Sequence, residues 1–104
     1  MVRITNSTSI YKMLDGTILK TKNAVSSWQE ETDWDGNNWI SRATGSQWVH
    51  QTLHLTGKGR YWTETSSQPP HAELISQEAA TRWLILNDKD LPADLEALRD
   101  KIEE

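Results

Sequence analysis

The chain has 104 residues, no cysteine and a net charge of −4, so it has room for one domain and lacks disulfides, cysteine-based zinc sites and thiol catalysis. Basic residues outnumber acidic ones by seven to five in residues 1–62, whereas residues 63–104 carry four basic and ten acidic residues. This balance disfavours nucleic-acid binding through bulk charge and leaves room only for a local basic patch in the first part.

The start of the chain predicts a cytoplasmic location. Residues 1–6 lack the long apolar core of a secretory signal. No apolar run approaches the ~20 residues that a membrane-spanning helix needs, so no membrane partner is expected.

The first predicted element is a β-hairpin within residues 10–22. Its turn is Asp15-Gly16, a pair that supplies the positive φ angles of a two-residue type I′ turn. Such a turn places Lys12 opposite Leu19. Both faces of the hairpin are then mixed, as is typical of a hairpin at the edge of a domain.

An antiparallel sheet is predicted next. Its strands are expected at residues 24–32, 39–43, 47–56 and 60–65, separated by glycine-containing turns. The clearest alternation is in residues 47–56, where Leu53 and Leu55 share one face and His50 and His54 share the other. With the first hairpin, this gives four to six strands. Residues 66–71 contain two consecutive prolines and are predicted to be a loop.

Two helices are predicted at the C-terminus. Ser76 is a favourable N-cap for the first helix, and Asn87 can end it. The second starts near Pro92 and carries an apolar stripe that must be buried on the sheet or on a partner; we favour the sheet. The predicted fold is therefore α+β, one domain over residues 1–104, with a β-rich part (1–75) and a helical tail (76–104).

No metal or cofactor is predicted. His50 and His54 are four residues apart on a strand, a separation of ~13 Å that is too large for one ion. Residues 33–38 place oxygen ligands at alternate positions, as calcium loops do. An EF-hand needs glycine at position six and glutamate at twelve, where this chain has Asn38 and Thr44. A polar turn explains the segment better.

Catalysis receives weak support, and no catalytic residue is assigned. A small hydrolase that uses Glu30 or Asp33 is our third hypothesis, with nearby tryptophans as sugar platforms, but clustered acids in a turn are usually solvated. The Gly-x-Ser-x-Gly motif of many serine hydrolases does not occur. Whether the chain is an enzyme stays open, and we favour a non-enzymatic function.

Two groups of residues are candidate binding sites. Trp34 and Trp39 flank a polar turn and are typical of anchors for a protein partner, although most of the six tryptophans are expected in the core. Lys58, Arg60 and Tyr61 at a glycine-rich turn could bind single-stranded nucleic acid by charge and stacking. The alternative for the second group is a solvated turn. We favour a protein-binding or regulatory module whose partner is another protein or a second copy, and rank nucleic acid second.

Two segments carry a resemblance, residues 52–66 (TLHLTGKGRYWTETS) and 73–91 (ELISQEAATRWLILNDKDL). Together they resemble a pattern in small bacterial accessory proteins, a Gly-Arg-aromatic strand followed by a helix that ends in Trp-Leu-Leu-x-Asn. The resemblance covers about a third of the chain. It implies the hairpin-then-helix architecture and a stand-alone accessory role, and it implies no activity and no site residues.

Overall fold

The computed structural model describes residues 9–104, so the segment 1–6 considered above lies outside the described part. The elements in chain order are β1 Ile10–Lys12, β2 Ile18–Lys20, β3 Ala24–Gln29, β4 Thr32–Trp34, β5 Trp39–Ser41, β6 His50–Thr56, β7 Tyr61–Ser66, β8 His71–Ile75, α1 Gln77–Leu86, α2 Ala93–Glu96 and α3 Arg99–Ile102. The predicted α+β class is confirmed. None of the helices in residues 9–104 is long and apolar enough to cross a membrane.

A four-stranded antiparallel sheet forms the centre of the fold, in the order β3-β6-β7-β8. One row across it consists of Trp28, Leu53, Thr63 and Glu73. Strand β8 lies in a segment for which no strand was predicted. Strands β1–β2 and β4–β5 form separate two-stranded hairpins.

One face of the sheet carries the apolar core. Leu53 and Tyr61 point to this face, where Ala80, Trp83 and Leu84 of α1 cover them together with Leu91 and Leu95 from the α2 region. Helix α1 begins as predicted, since the Ser76 side chain accepts the N–H of Ala79. Leu91 and Leu95 of the predicted apolar stripe are therefore packed into the core, with Leu98 partly buried against it. The second predicted helix is divided into α2 and α3.

The opposite face of the sheet is covered by the β1–β2 hairpin. Tyr11 and Leu19 are cross-strand partners; Leu19 is buried, and the Tyr11 ring lies edge-on to Trp62 with ring centroids 6.0 Å apart. The predicted register was wrong by one residue. Met13 donates its N–H to Thr17 O, which closes a three-residue loop that ends at Gly16 with a φ of 91°. Glycine is favoured at such a left-handed position.

The β4–β5 hairpin is attached to the end of α1. The Asn87 side chain is buried and accepts the N–H of Glu31 at 2.8 Å. Lys89 Nζ lies 2.9 Å from Glu31 Oε2. Arg42 donates its backbone N–H to Glu31 O. The hairpin base is thus held by groups from the segment that follows the helix.

Candidate functional site

The first candidate site is the tryptophan hairpin, formed by Trp34 and Trp39. These residues are cross-strand partners at the end of β4 and the start of β5, with ring centroids 5.4 Å apart and planes at 55°. Their exposed fractions are 55% and 59%. Cross-strand aromatic pairs stabilise a hairpin by roughly 0.5–1.5 kcal/mol. The pair therefore stabilises its own hairpin and leaves much of both indoles exposed to solvent.

A polar turn closes the tryptophan hairpin. Asp35 Oδ1 accepts the backbone N–H groups of Asn37 and Asn38 at 2.8 and 2.7 Å, and these bonds lower the pKa of the Asp35 carboxyl. Gly36 has a φ of 106°. One carboxylate of the segment that resembles a calcium loop thus closes its own turn. No cluster of three or more His, Cys, Asp or Glu side chains suited to a metal ion occurs within residues 9–104.

Arg42 fixes the other face of the tryptophan hairpin. Its Nε and Nη2 atoms lie 2.9 and 3.0 Å from the two carboxylate oxygens of Asp33, and its Nη1 lies 2.8 Å from Asp88 Oδ2. Hydrogen bonds to Asp33 and then Asp88 raise the pKa of the Arg42 guanidinium, and the same bond lowers the pKa of Asp33. Asp33 is therefore an ion-pair partner. Its predicted role as a hydrolase acid is not supported by this geometry.

The tryptophans divide differently from the prediction. Trp62 and Trp83 are buried and Trp28 is partly buried against the core, whereas three of the six are exposed, so the expectation that most are core was wrong. Trp48 is 78% exposed in the loop between β5 and β6, and sequence reasoning had not singled it out. Its backbone belongs to a turn in which the Ser46 hydroxyl accepts the N–H groups of Trp48 and Val49.

The second candidate site is the basic turn between β6 and β7. Lys58 and Arg60 are exposed as predicted, and with Lys20 they line a surface cavity of about 520 Å³. None of the residues within 9–104 that line this cavity is acidic. Tyr61 is only 1% exposed, and its hydroxyl donates to Asp94. Burial, and then the bond to Asp94, raise the pKa of Tyr61 to about 12. The Tyr61 ring is in the core, so it does not stack on bases, and that part of the nucleic-acid hypothesis is corrected.

The third candidate site is a chain of four side chains on the hairpin-covered face. Ser27 Oγ lies 2.7 Å from His54 Nδ1, His54 Nε2 lies 3.1 Å from Glu64 Oε1, and Tyr11 donates its hydroxyl to Glu64 Oε2 at 2.7 Å. His54 is buried, and its ring stacks on Trp62 with centroids 4.3 Å apart. Burial, and then the bond to Glu64, raise the pKa of Tyr11. We call these four residues the serine relay.

A cavity of about 540 Å³ lies beside the serine relay, with Tyr11 and Glu64 in its wall. Glu30, one of the two acids in the hydrolase hypothesis, also lines it. The Glu30 carboxylate is almost fully buried and accepts from His50 Nδ1, Ser41 Oγ and the N–H of Gln51. With three donors to it, Glu30 acts as a structural acceptor that joins β5 to β6.

Comparisons with protein-family models, with curated proteins and with solved structures gave no match. Function must therefore be argued from the geometry of the chain. The structure brings Trp34 and Trp39 together, and it separates Tyr61 from Lys58 and Arg60. The serine relay is an assembly that the sequence did not indicate.

Proposed function

We propose that the chain is a protein-binding module that docks its partner through Trp34 and Trp39. The observation that carries this proposal is the exposure of two adjacent indoles on one rigid hairpin. Tryptophan is enriched among the residues that dominate protein–protein affinity, because it buries a large area with few rotatable bonds. Two such rings side by side offer a compact anchor for an apolar pocket.

The attachment of the hairpin supports this proposal. Arg42 joins Asp33 on β4 to Asp88 beyond α1, and Asn87 bonds the backbone that enters β4. Binding costs free energy when a loop must be ordered at the interface. A hairpin that is already held in place avoids much of that cost, so more of the indole burial contributes to affinity.

The test compares Trp34→Ala/Trp39→Ala with Trp48→Ala, a matched control because Trp48 is exposed and lies outside the pair. Sedimentation measures self-association, and mass spectrometry identifies proteins that are retained by wild-type protein and lost by the double variant. A purified partner is then titrated. We expect the double variant to bind at least ~30-fold more weakly, since anchor residues contribute about 2 kcal/mol or more.

Equal affinity of wild type, the double variant and Trp48→Ala would refute docking at the tryptophan hairpin. Weakening by Trp48→Ala alone would move the site to the loop before β6. A concentration-dependent dimer that is lost in the double variant would identify a second copy as the partner. The proposal includes the cytoplasmic location expected from the sequence.

A second candidate function, single-stranded nucleic-acid binding, is favoured by the three cations around the basic cavity. Because the Tyr61 ring is buried and cannot stack on bases, the affinity for nucleic acid would come mainly from phosphate contacts and would fall steeply with salt concentration. A labelled oligonucleotide should lose binding with Lys58→Glu/Arg60→Glu and retain it with Lys101→Glu, which changes an exposed lysine of the acidic tail. Absence of binding by the wild type at low salt would reject this function.

A further inference from the structure

We propose that Ser27 is a nucleophile for acyl transfer, with His54 as its general base and small esters as the class of substrate. This activity goes beyond protein docking and rests on different residues. The serine relay has the arrangement that such chemistry needs: a hydroxyl on an imidazole and a carboxylate on the other ring nitrogen. Such sites are recognised by geometry, since their members can lie far apart in sequence.

The hydrogen-bond pattern fixes the role of each ring nitrogen of His54. A carboxylate only accepts, so the bond between Glu64 and His54 Nε2 places the proton of a neutral ring on Nε2. His54 Nδ1 then carries the lone pair, and the Ser27 hydroxyl donates to it at 2.7 Å. This is the tautomer in which the ring can take the serine proton.

The orientation of the base is set by its surroundings. The His54 ring is buried and lies against Trp62, so it has little freedom to turn away from Ser27. Glu64 is itself held by the Tyr11 hydroxyl at 2.7 Å. Glu64 and Tyr11 are positioning residues, because they act on the serine only through the imidazole.

Ser27 is exposed, whereas His54 behind it is buried. A network that only satisfied buried polar groups would have no need of an exposed hydroxyl at its end, because water could bond to His54 there. An exposed serine backed by a buried base is the arrangement in which a substrate can reach the oxygen and the proton can leave on the protein side.

A cavity lined by Tyr11 and Glu64 of the serine relay lies next to Ser27 and His54, which are outside its lining, and gives part of a substrate a place. Gln29 and Thr52 lie two residues along the same strands from Ser27 and His54, on the same face, and both line the cavity of about 540 Å³. Within residues 9–104, β3 pairs with β6 alone. Alternate N–H groups on its open side therefore have no ladder partner from the described strands and can donate to the oxygen of an acyl group.

The chemical step balances with water as the only co-reactant. Ser27 Oγ forms a bond to the acyl carbon while its proton passes to His54 Nδ1. The ester C–O bond then breaks, and the leaving alkoxide takes that proton as the alcohol. Water attacks the acyl-serine with His54 again as base, which releases the carboxylic acid and restores Ser27.

The test is covalent labelling with an alkyl fluorophosphonate, which forms a serine–phosphorus bond and releases fluoride. Mass spectrometry locates the label. Ser26 is the matched control, because it is also exposed, adjacent in sequence and on the opposite face. General bases contribute roughly 10²–10⁴-fold to rate, so Ser27 is expected to react at least ~100-fold faster than Ser26.

Variants separate the roles within the relay. Ser27→Ala should remove the label and the hydrolysis of a nitrophenyl ester, while Ser26→Ala leaves both unchanged. The Trp34→Ala/Trp39→Ala variant should react like wild type, so this proposal and the docking proposal fail separately. The labelling rate should depend on pH, because a protonated imidazole cannot accept the serine proton.

Tyr11→Phe provides a readout that does not depend on replacing the base. It keeps the ring against Trp62 and removes the donor to Glu64, so we expect a folded protein whose labelling rate is reduced and whose pH profile is displaced. Labelling of Ser27 no faster than that of Ser26, in folded wild-type protein, would overturn the proposal. So would a labelling rate that does not change with pH.

Discussion

The two faces of the central sheet are built from the same strands and serve different purposes. The helix-covered face joins Leu53 and Tyr61 to α1 and α2 in an apolar core. His54 and Trp62 alternate with these residues along the strands and point to the hairpin-covered face. There His54 belongs to the serine relay, a chain of hydrogen bonds that ends at the exposed Ser27. Alternation along a strand thus lets one sheet separate apolar packing from polar chemistry.

The contacts on the two faces contribute differently to the stability of the fold. Apolar burial stabilises in proportion to area and tolerates few gaps. The serine relay contributes less net stability, since each hydrogen bond replaces one made to water. The hydrogen bonds of the relay instead fix the orientation of the His54 ring. The comparison predicts large effects of substitutions on the helix side and smaller, more specific effects on the hairpin side.

The largest effect is expected for Leu84→Ala on the helix-covered face. Leu84 is fully buried, and truncating such a leucine lowers the free energy of unfolding by about 2–5 kcal/mol through lost burial and the cavity that remains. Leu86→Ala is the matched control on the same helix, because Leu86 is 52% exposed; it should cost less than about 0.5 kcal/mol. Urea denaturation measures both. Similar losses of unfolding free energy in Leu84→Ala and Leu86→Ala would show that α1 does not cover the core through Leu84.

The next largest change in stability is expected from removing a tyrosine hydroxyl, and it should differ between the two faces. Tyr11→Phe removes a 2.7 Å bond to a partly buried carboxylate and should lower the free energy of unfolding by about 1.5 kcal/mol. Tyr61→Phe removes longer bonds of 3.1 and 3.2 Å to the exposed Asp94, and should cost about 0.5 kcal/mol because water replaces the donor. A larger loss for Tyr61→Phe would reverse the assignment of the polar network to the hairpin side.

A third effect is a loss of stability in alkali. The folded-state pKa of Tyr61 is raised to about 12, whereas an unfolded tyrosine has a pKa near ~10. Between these values the unfolded chain releases the proton and the folded chain keeps it, so stability falls as pH rises. By pH 11 the loss from Tyr61 should be about 1 kcal/mol. Urea denaturation at pH 9 and 11 should show a smaller loss of unfolding free energy in Tyr61→Phe than in wild type. Equal losses in the two proteins would contradict the raised pKa of Tyr61.

The smallest effect is expected at the exposed end of the serine relay. Ser27→Ala should change the free energy of unfolding by no more than about 0.5 kcal/mol, since water can replace the hydroxyl at His54. Ser26→Ala should be neutral. If thermal unfolding shows that Ser27→Ala costs more than about 1.5 kcal/mol, the hydroxyl is a structural group and the contrast between the faces weakens.

Periodicity and turn chemistry predicted much of the architecture. The alternation in residues 47–56 gave the central strand, and Ser76 marked the start of α1. Strand β8 was missed because it follows two prolines and is only five residues long. The hairpin register was missed because Asp-Gly is compatible with both a two-residue loop and a three-residue loop that ends in glycine. The local sequence does not distinguish the two loop lengths, because packing of the hairpin against Trp62 selects between them.

The candidate sites were less predictable than the fold. Trp34 and Trp39 were identified because they flank a turn, and that local signal sufficed. The position of Tyr61 depended on which face of β7 meets the helices, a tertiary property. The serine relay draws single residues from β1, β3, β6 and β7, so no spacing along the chain reveals it. The buried His54 between two polar partners is visible only in three dimensions.

The three-residue loop that ends at Gly16 has a consequence for how this protein can vary. A shift of one residue between β1 and β2, as a two-residue Asp15-Gly16 turn would give, would pair Lys12 with Leu19 and place Tyr11 and Leu19 on opposite faces of the hairpin. The loop should accordingly accept only those changes that keep Met13 opposite Thr17. A change at a solvent-exposed tip that shifted this register would then slow the proposed reaction of Ser27 on another strand, without altering any residue that touches it.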